Sequence, residues 1–158
     1  MRIVLLGLSV TSAWGNGHAT NYRGLMRALA GRGHDVLFLE RDVPWYASQR
    51  DLPDPPWGRT VLYGSLEELR ETQAEAVSAA DLVVVGSYVP DGVAVGDWVQ
   101  ATAAGVTAFY DIDTPVTLGK LARGDFEYLE PRQVAGYDVY LSFTGGPTLR
   151  RIESELGS

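Results

Sequence analysis

The sequence predicts an α/β domain built on a doubly wound parallel sheet of about six strands. Short apolar runs alternate with segments of helical periodicity along the whole chain. Several of these runs are nearly continuous in Val, Leu and Phe, which is typical of strands covered on both faces, as in parallel sheets. The length of 158 residues and the 46% hydrophobic content suit one domain with one core.

Six apolar runs are the predicted strands. They cover residues 2–8, 35–40, 59–63, 81–86, 106–110 and 139–143. The first run begins after a single basic residue, Arg2, and Gly7 and Ser9 interrupt it without a convincing cleavage site. We therefore interpret it as a buried first strand and not as a signal peptide.

The segments between the runs carry helical signals. Residues 19–30 place apolar side chains at i, i+3, i+4 and i+7, which predicts a helix with one buried face. Ser65 followed by Glu68 predicts a capping box that begins a second helix. A third helix is expected over residues 93–104, and a last one begins at Pro147. Alternating strands and helices with right-handed crossovers give a three-layer, Rossmann-like domain.

Two stretches lack this regular pattern. Residues 41–58 contain four prolines, which argue against a regular element there. The aromatic residues Trp45, Tyr46 and Trp57 in this loop either mark a binding surface or pack over the domain. Residues 111–136 are expected to hold one or two short helices.

Composition excludes several classes of function. The chain has no cysteine, which rules out disulfides, thiolate metal sites and a cysteine nucleophile and fits a cytoplasmic protein. The net charge is −7 and the longest basic run is Arg150-Arg151, so nucleic-acid binding is not expected. No apolar run reaches 18 residues, so we expect no membrane span.

The residues that follow the predicted strands are the candidate site. Ligands of open parallel sheets bind beyond the carboxyl ends of the strands. Small, polar and titratable residues collect there: residues 9–18 after the first strand, Ser87, Tyr88, Pro90 and Asp91 after the fourth, Asp111, Asp113 and Thr114 after the fifth, and Thr144, Gly145 and Gly146 after the sixth.

The loop after the first strand is the richest part of this site. Gly15 and Gly17 allow a ligand to approach the backbone, and the loop ends at a helix N-terminus whose N–H groups suit an anion. The loop matches neither a dinucleotide-binding fingerprint nor a P-loop. His18 begins the helix, where the helix dipole favours a neutral imidazole that can act as a general base. The alternative is an ordinary first-turn histidine.

Two further motifs each have two interpretations. Asp111-Ile112-Asp113 after an apolar strand suits a divalent cation, but Asp113 or Thr114 alternatively caps the helix that contains residues 115–122. The turn at Gly145-Gly146 either cradles a phosphate or simply joins a strand to a helix.

Three stretches carry a family resemblance. Residues 17–36 read Gly-His, an amphipathic helix and then Arg-Gly-His-Asp-Val, and this resembles the opening of GT-B glycosyltransferases. Residues 109–115 (Phe-Tyr-Asp-Ile-Asp-Thr-Pro) and 141–147 (Leu-Ser-Phe-Thr-Gly-Gly-Pro) resemble, more narrowly, the glycosyltransferase-like proteins related to the spore-maturation protein CgeB.

The resemblance implies roles for particular residues. In inverting enzymes of this type, the histidine after the first strand deprotonates the acceptor hydroxyl, so His18 would be the base, with Asp111 or Asp113 orienting it. Retaining families use no such base, which leaves the stereochemistry open. From their positions after the predicted strands, we expect the substrate-binding residues to be Gly15, Asn16, Gly17, Tyr88, Thr144, Gly145 and Gly146, with no metal ligand.

The resemblance also implies an incomplete enzyme. We expect residues 1–158 to be a single domain, the N-terminal, acceptor-side half of a metal-independent enzyme. The nucleotide-sugar donor would bind a C-terminal GT-B domain that is missing here, in cis or as a separate subunit, so this chain would hold no cofactor and would not be active alone. An apolar surface beside the carboxyl ends of the strands would then be exposed for the partner domain.

Two alternatives come from other classes. One is a non-catalytic, flavodoxin-like binding or regulatory module, although a response-regulator receiver needs acidic residues after the first strand and none occurs before Asp35 and Glu40. The other is a GT-A enzyme with manganese on Asp111 and Asp113, which a strand order other than 3-2-1-4-5-6 would favour.

Overall fold

The computed structural model describes residues 1–157 and contains a six-stranded, all-parallel sheet. The strand order is β3-β2-β1-β4-β5-β6, which confirms the predicted doubly wound α/β fold and does not favour the GT-A alternative. Every predicted strand is present within one residue of its expected bounds. The strands are β1 (Arg2–Gly7), β2 (Asp35–Arg41), β3 (Arg59–Tyr63), β4 (Leu82–Gly86), β5 (Val106–Asp111) and β6 (Val139–Ser142).

Within residues 1–157, seven helices connect or follow the strands. They are α1 (His18–Gly31), α2 (Pro44–Ala47), α3 (Leu66–Ala79), α4 (Gly92–Thr102), α5 (Thr114–Ala122), α6 (Pro131–Val134) and α7 (Pro147–Arg151), and a π-helical turn (Ile152–Leu156) continues α7. The four-residue helix α2 corrects the expectation that residues 41–58 hold no regular element. Pro44 occupies a first-turn position of α2, where the missing N–H of proline costs nothing.

The core is divided between the two faces of the sheet. Alternate residues of each strand point to opposite faces, so Ile3 and Leu5 pack with α1, whereas Val4 and Leu6 pack with α3 and α4. Right-handed crossovers from β4 to β5 and from β5 to β6 place α4 and α5 on the face opposite α1. As a result, the side chains of β6 that face the α1 side remain exposed; they are Val139, Leu141 and, just past the strand, Phe143.

Glycines fix the position of α1 over the sheet. The ring of Tyr22 is fully buried against the ends of β1 and β4, where a Cβ on Gly86 would overlap the tyrosine hydroxyl and a Cβ on Gly7 would lie 2.6 Å from Cε2 of the ring. Only glycine allows this close approach. The contact holds the first turn of α1, and with it His18, at the carboxyl edge of the sheet.

No helix within residues 1–157 has both the length and the apolar character needed to cross a bilayer.

Candidate functional site

The loop after β1, residues 9–17 (the first loop), folds around a buried carboxylate. Glu40 lies near the end of β2 and is fully buried. One of its oxygens accepts hydrogen bonds from the backbone N–H of Val10 (2.6 Å) and of Thr11 (3.0 Å). The other accepts from the hydroxyls of Thr11 (2.6 Å) and Ser9 (3.1 Å). Charge-assisted bonds of this kind are the strong ones, so Glu40 is a main determinant of the conformation of the first loop.

The backbone N–H groups of residues 10–13 in the first loop all donate to acceptors within the domain. Besides the two bonds to Glu40, the N–H of Ser12 donates to the Ser9 hydroxyl (3.1 Å) and the N–H of Ala13 donates to Asp51 (2.8 Å). The backbone N–H groups of residues 10–13 are therefore not free to bind an anion. An acidic residue at the end of β2 binds a ribose in dinucleotide-binding domains, but here Glu40 is buried beneath the loop.

Residues 42–52 are hydrogen-bonded to the first loop. The guanidinium of Arg23 donates to both oxygens of Asp51, each at 2.8 Å, and it holds the pKa of that carboxyl well below its usual range. The hydroxyl of Ser12 donates to the backbone oxygen of Gln49 (2.8 Å), and the N–H of Leu52 donates to the backbone oxygen of Thr11 (3.1 Å). Two chain segments thus form one hydrogen-bonded rim at this edge of the sheet.

His18 is half-buried at the start of α1. Its ring stands edge-on to the ring of Tyr88, with centroids 5.1 Å apart, and its Nδ1 is buried without a hydrogen-bond partner among residues 1–157. Burial lowers the pKa of His18, and the nearby charges of Asp113 and Asp111 partly oppose this effect. The imidazole is therefore mainly neutral at pH 7, and Nε2 is the ring nitrogen left to face a substrate.

Tyr88 has a strained backbone. Its φ is 64°, a left-handed conformation that is uncommon for a residue other than glycine and costs of order 1–3 kcal/mol. The ring of Tyr88 packs between His18 and Tyr128, whose centroid lies 4.8 Å away. Asp91, three residues later, also has a positive φ of 55° and pairs with Arg41 at 2.9 Å. Strained residues of this kind concentrate at functional sites.

Asp111 faces the interior of the domain. It is fully buried, and its carboxylate accepts hydrogen bonds from the hydroxyls of Tyr140 (2.6 Å) and Thr117 (2.7 Å) and from the N–H of Asp113 (3.3 Å). Burial raises the pKa of Asp111, and these bonds oppose the rise. Both oxygens are occupied by partners within the domain, so Asp111 is poorly placed to bind a substrate.

Asp113 differs from Asp111 in its surroundings. It is exposed at the N-cap position of α5, where its side chain makes no capping hydrogen bond. Burial lowers the pKa of His18 and raises that of Tyr88, and the negative charge of Asp113 raises the pKa of both. Within residues 1–157, no hydrogen bond joins His18 to either aspartate. Of the two orienting candidates, Asp113 is the one with a carboxylate open to the site.

The aspartate pair does not form a metal centre with neighbouring groups. Among residues 1–157, no three side chains of the His, Cys, Asp and Glu types are grouped as metal ligands. Because Asp111 turns inward and Asp113 outward, the two carboxylates present no shared face to a cation.

The last part of the predicted site is a simple turn. The N–H of Thr144 donates to the hydroxyl of Ser142 (2.9 Å), and Gly146 has a φ of 64° where the chain enters α7. A five-residue helix has only a small dipole to offer a phosphate, so the geometry of Gly145 and Gly146 is sufficiently explained by the turn. Gly15 also has a positive φ, 65°, in the first loop.

Several residues of this edge were not foreseen from the sequence. Glu40 is the clearest, and its signal was an acidic residue ending an otherwise apolar strand. Tyr128 packs against Tyr88, and the hydroxyl of Tyr140 donates a hydrogen bond to Asp111. No local sequence pattern marks either tyrosine.

A cavity of about 550 Å³ lies at the opposite edge of the sheet, between α3 and the amino ends of β1, β2 and β3. The charged residues that line this cavity carry no net charge, because two are arginines (Arg2 and Arg59) and two are acids (Asp35 and Glu75). The carboxyl edge, by contrast, is an open surface that carries the neutral histidine, the strained Tyr88 and the exposed Asp113, and we take it as the site.

Comparison with known protein families, with characterised proteins and with solved structures finds no match to this chain.

Proposed function

We propose that this chain is the acceptor-side domain of a metal-independent, nucleotide-sugar-dependent glycosyltransferase of the GT-B type, in which His18 is the base. The observation that carries the proposal is the neutral, half-buried imidazole of His18 at the carboxyl edge of the sheet, beside Tyr88 and the exposed Asp113. A base with a lowered pKa at such an edge is what deprotonation of a hydroxyl near neutral pH needs.

The proposed reaction is one displacement. The acceptor hydroxyl gives its proton to Nε2 of His18 while its oxygen forms a bond to the anomeric carbon of the donor sugar. The bond from that carbon to the nucleoside diphosphate breaks, and the electron pair leaves with the phosphate oxygen. Asp113 stabilises the imidazolium that results, because its charge favours the protonated form of His18.

The first loop supports the assignment to the acceptor side. A nucleoside diphosphate requires donors for its phosphate oxygens, usually backbone N–H groups of a loop and helix N-terminus. The N–H groups of residues 10–13 are already bonded to Glu40, Ser9 and Asp51. The phosphates are therefore expected to bind another domain, which the proposal places in cis or in a separate subunit.

Exposed aromatic side chains at the carboxyl edge support a surface that binds the acceptor or the donor-binding domain. Trp14, Trp45 and Phe143 have exposed fractions of 56%, 57% and 58%, and all three follow carboxyl ends of strands. Large apolar side chains exposed at one edge of the sheet are candidates for contact with another molecule or domain.

Transfer assays test the proposal. The domain joined to its donor-binding half is incubated with UDP-, GDP- and dTDP-hexoses and a panel of neutral hydroxyl acceptors, and the hexosyl product is detected by mass spectrometry. We expect transfer that excess EDTA leaves unchanged, and none from this chain alone. Loss of transfer in EDTA would contradict metal independence, and no transfer with any donor would favour the non-catalytic module.

A further inference from the structure

Two tryptophans at the carboxyl edge remain exposed although the backbone around them is well anchored. Trp14 lies in the first loop and Trp45 in α2, and each has more than half of its surface exposed. Indole rings are large apolar groups that usually find cover in a folded domain. Their exposure on ordered segments suggests that they contact a ligand.

Hydrogen bonds fix the backbone that carries Trp14. Its N–H donates to the hydroxyl of Ser12 (3.3 Å), and its backbone oxygen accepts from the side-chain amide of Asn16 (3.2 Å). Glu40 holds the preceding part of the first loop. Trp14 is therefore presented by a pre-organised loop, and binding to it would cost little ordering entropy.

Asn16 joins the part of the first loop that carries Trp14 to the start of α1. Its amide oxygen accepts from the N–H of Ala19, directly after His18. Residues 42–52, which include α2, are hydrogen-bonded to the first loop through the backbone oxygen of Gln49 and the N–H of Leu52. The ring of Trp45 stands next to that of Tyr46, with centroids 6.1 Å apart. The two tryptophans thus lie on segments that are hydrogen-bonded to each other, and one of these segments leads into α1.

The charged groups around this rim are paired with one another. Asp51 binds Arg23, and Asp42 binds Arg50. Pairing leaves little net charge to attract an ionic ligand, whereas the flat faces of the indoles suit the apolar face of a ring. A neutral ligand with such a ring matches this surface best.

We propose that Trp14 and Trp45 form an aromatic platform that binds the acceptor through the apolar face of a neutral ring close to its reacting hydroxyl. This proposal rests on the glycosyltransferase function, because it names the substrate class of the same site. Two sources share the required chemistry, namely the C–H face of a pyranose and an aromatic aglycone, and the probes below distinguish them.

The experiment is an NMR titration of the isolated chain, which reads binding without any transfer activity. The probes are cellotetraose, which offers pyranose faces only, and phenol, which offers an aromatic ring only. The indole N–H signals of the four tryptophans are assigned with single Trp→Phe variants. We expect the signals of Trp14 and Trp45 to shift saturably with at least one probe, and the probe that binds identifies the type of ring.

Variants test whether the rings themselves bind the probe. Trp14→Ala and Trp45→Ala should each raise Kd by about tenfold, as expected for exposed aromatic residues that anchor a ligand. Trp57→Phe is the matched control, because Trp57 packs against the core on the α1 side of the sheet, and it should leave Kd unchanged. Absence of saturable shifts with both probes, or an unchanged Kd in both alanine variants, overturns the platform. Binding without transfer in the assembled enzyme would retain the platform and reject the proposed function.

Discussion

Under the proposed function, replacing His18 with alanine in the assembled enzyme should lower kcat/KM for hexosyl transfer by about a hundred- to ten-thousand-fold, the usual contribution of a general base. The acceptor hydroxyl would then have no group to take its proton, whereas the Tyr88 and Asp113 side chains would remain in place. Initial rates at saturating donor and varied acceptor measure the loss. The pH–rate profile should also lose its acidic limb, because that limb reports protonation of His18.

His34 provides the matched control. It lies beyond the other end of α1, where its Nδ1 is 3.5 Å from the amino terminus, far from the carboxyl edge. His34→Ala should keep transfer within twofold of wild type, and both variants should unfold at similar temperatures. Full transfer by His18→Ala would reject the base assignment and favour a retaining reaction, which uses no such base.

Replacing Glu40 with glutamine should lower the free energy of unfolding by about 3 kcal/mol, because removing a charge from a buried hydrogen-bond network leaves its partners poorly satisfied. The carboxylate accepts four hydrogen bonds from the first loop, whereas a glutamine amide would place an NH₂ group against some of those donors. Urea unfolding followed by circular dichroism measures the change.

Glu71→Gln is the control for the loss of one negative charge. Glu71 is exposed on α3, so this change should alter the free energy of unfolding by no more than about 0.5 kcal/mol. Equal effects of the two substitutions would show that the Glu40 carboxylate does not organise the first loop. Hydrogen exchange at Val10 and Thr11 provides an independent test, and it should accelerate only in Glu40→Gln.

The fold was predictable because its signals are local. Apolar runs marked each strand to within one residue, and the predicted cap at Ser65 is present, since its hydroxyl accepts from the N–H of Glu68 at 3.1 Å. The second half of the capping box differs. The carboxylate of Glu68 accepts from the N–H of Gly64 (2.6 Å) and not from that of Ser65.

The site was predictable only in outline. Parallel strands bring their carboxyl ends together, so the location of His18, Tyr88 and Asp113 at one edge follows from the strand assignments. The different environments of Asp111 and Asp113 could not be predicted in this way. The inward orientation of Asp111 depends on a hydrogen bond from Tyr140, 29 residues later in the sequence. The same applies to Glu40, whose donors come from a loop about 30 residues earlier. The glycosyltransferase assignment remains a prediction that the sequence resemblance supplies.

The pH dependence of stability follows from the lowered pKa of His18. His18 binds a proton more readily in the unfolded chain than in the folded domain, because its pKa is about 6.5 when the chain is unfolded and lower when it is folded. The contribution of His18 to stability is therefore complete above pH 6.5 and is lost as the pH falls from 6.5 through the lower folded pKa. In Asp113→Asn the folded pKa should fall further, because the charge of Asp113 raises it.

An NMR titration of the His18 ring is the most direct test of the central claim, that this edge of the sheet holds a neutral histidine ready to accept a proton. The isolated chain is sufficient, and His34→Gln leaves a single histidine signal. The account predicts a pKa below 6.5 for His18 and a lower one in Asp113→Asn. A pKa at or above 6.5, unchanged by Asp113→Asn, would contradict it.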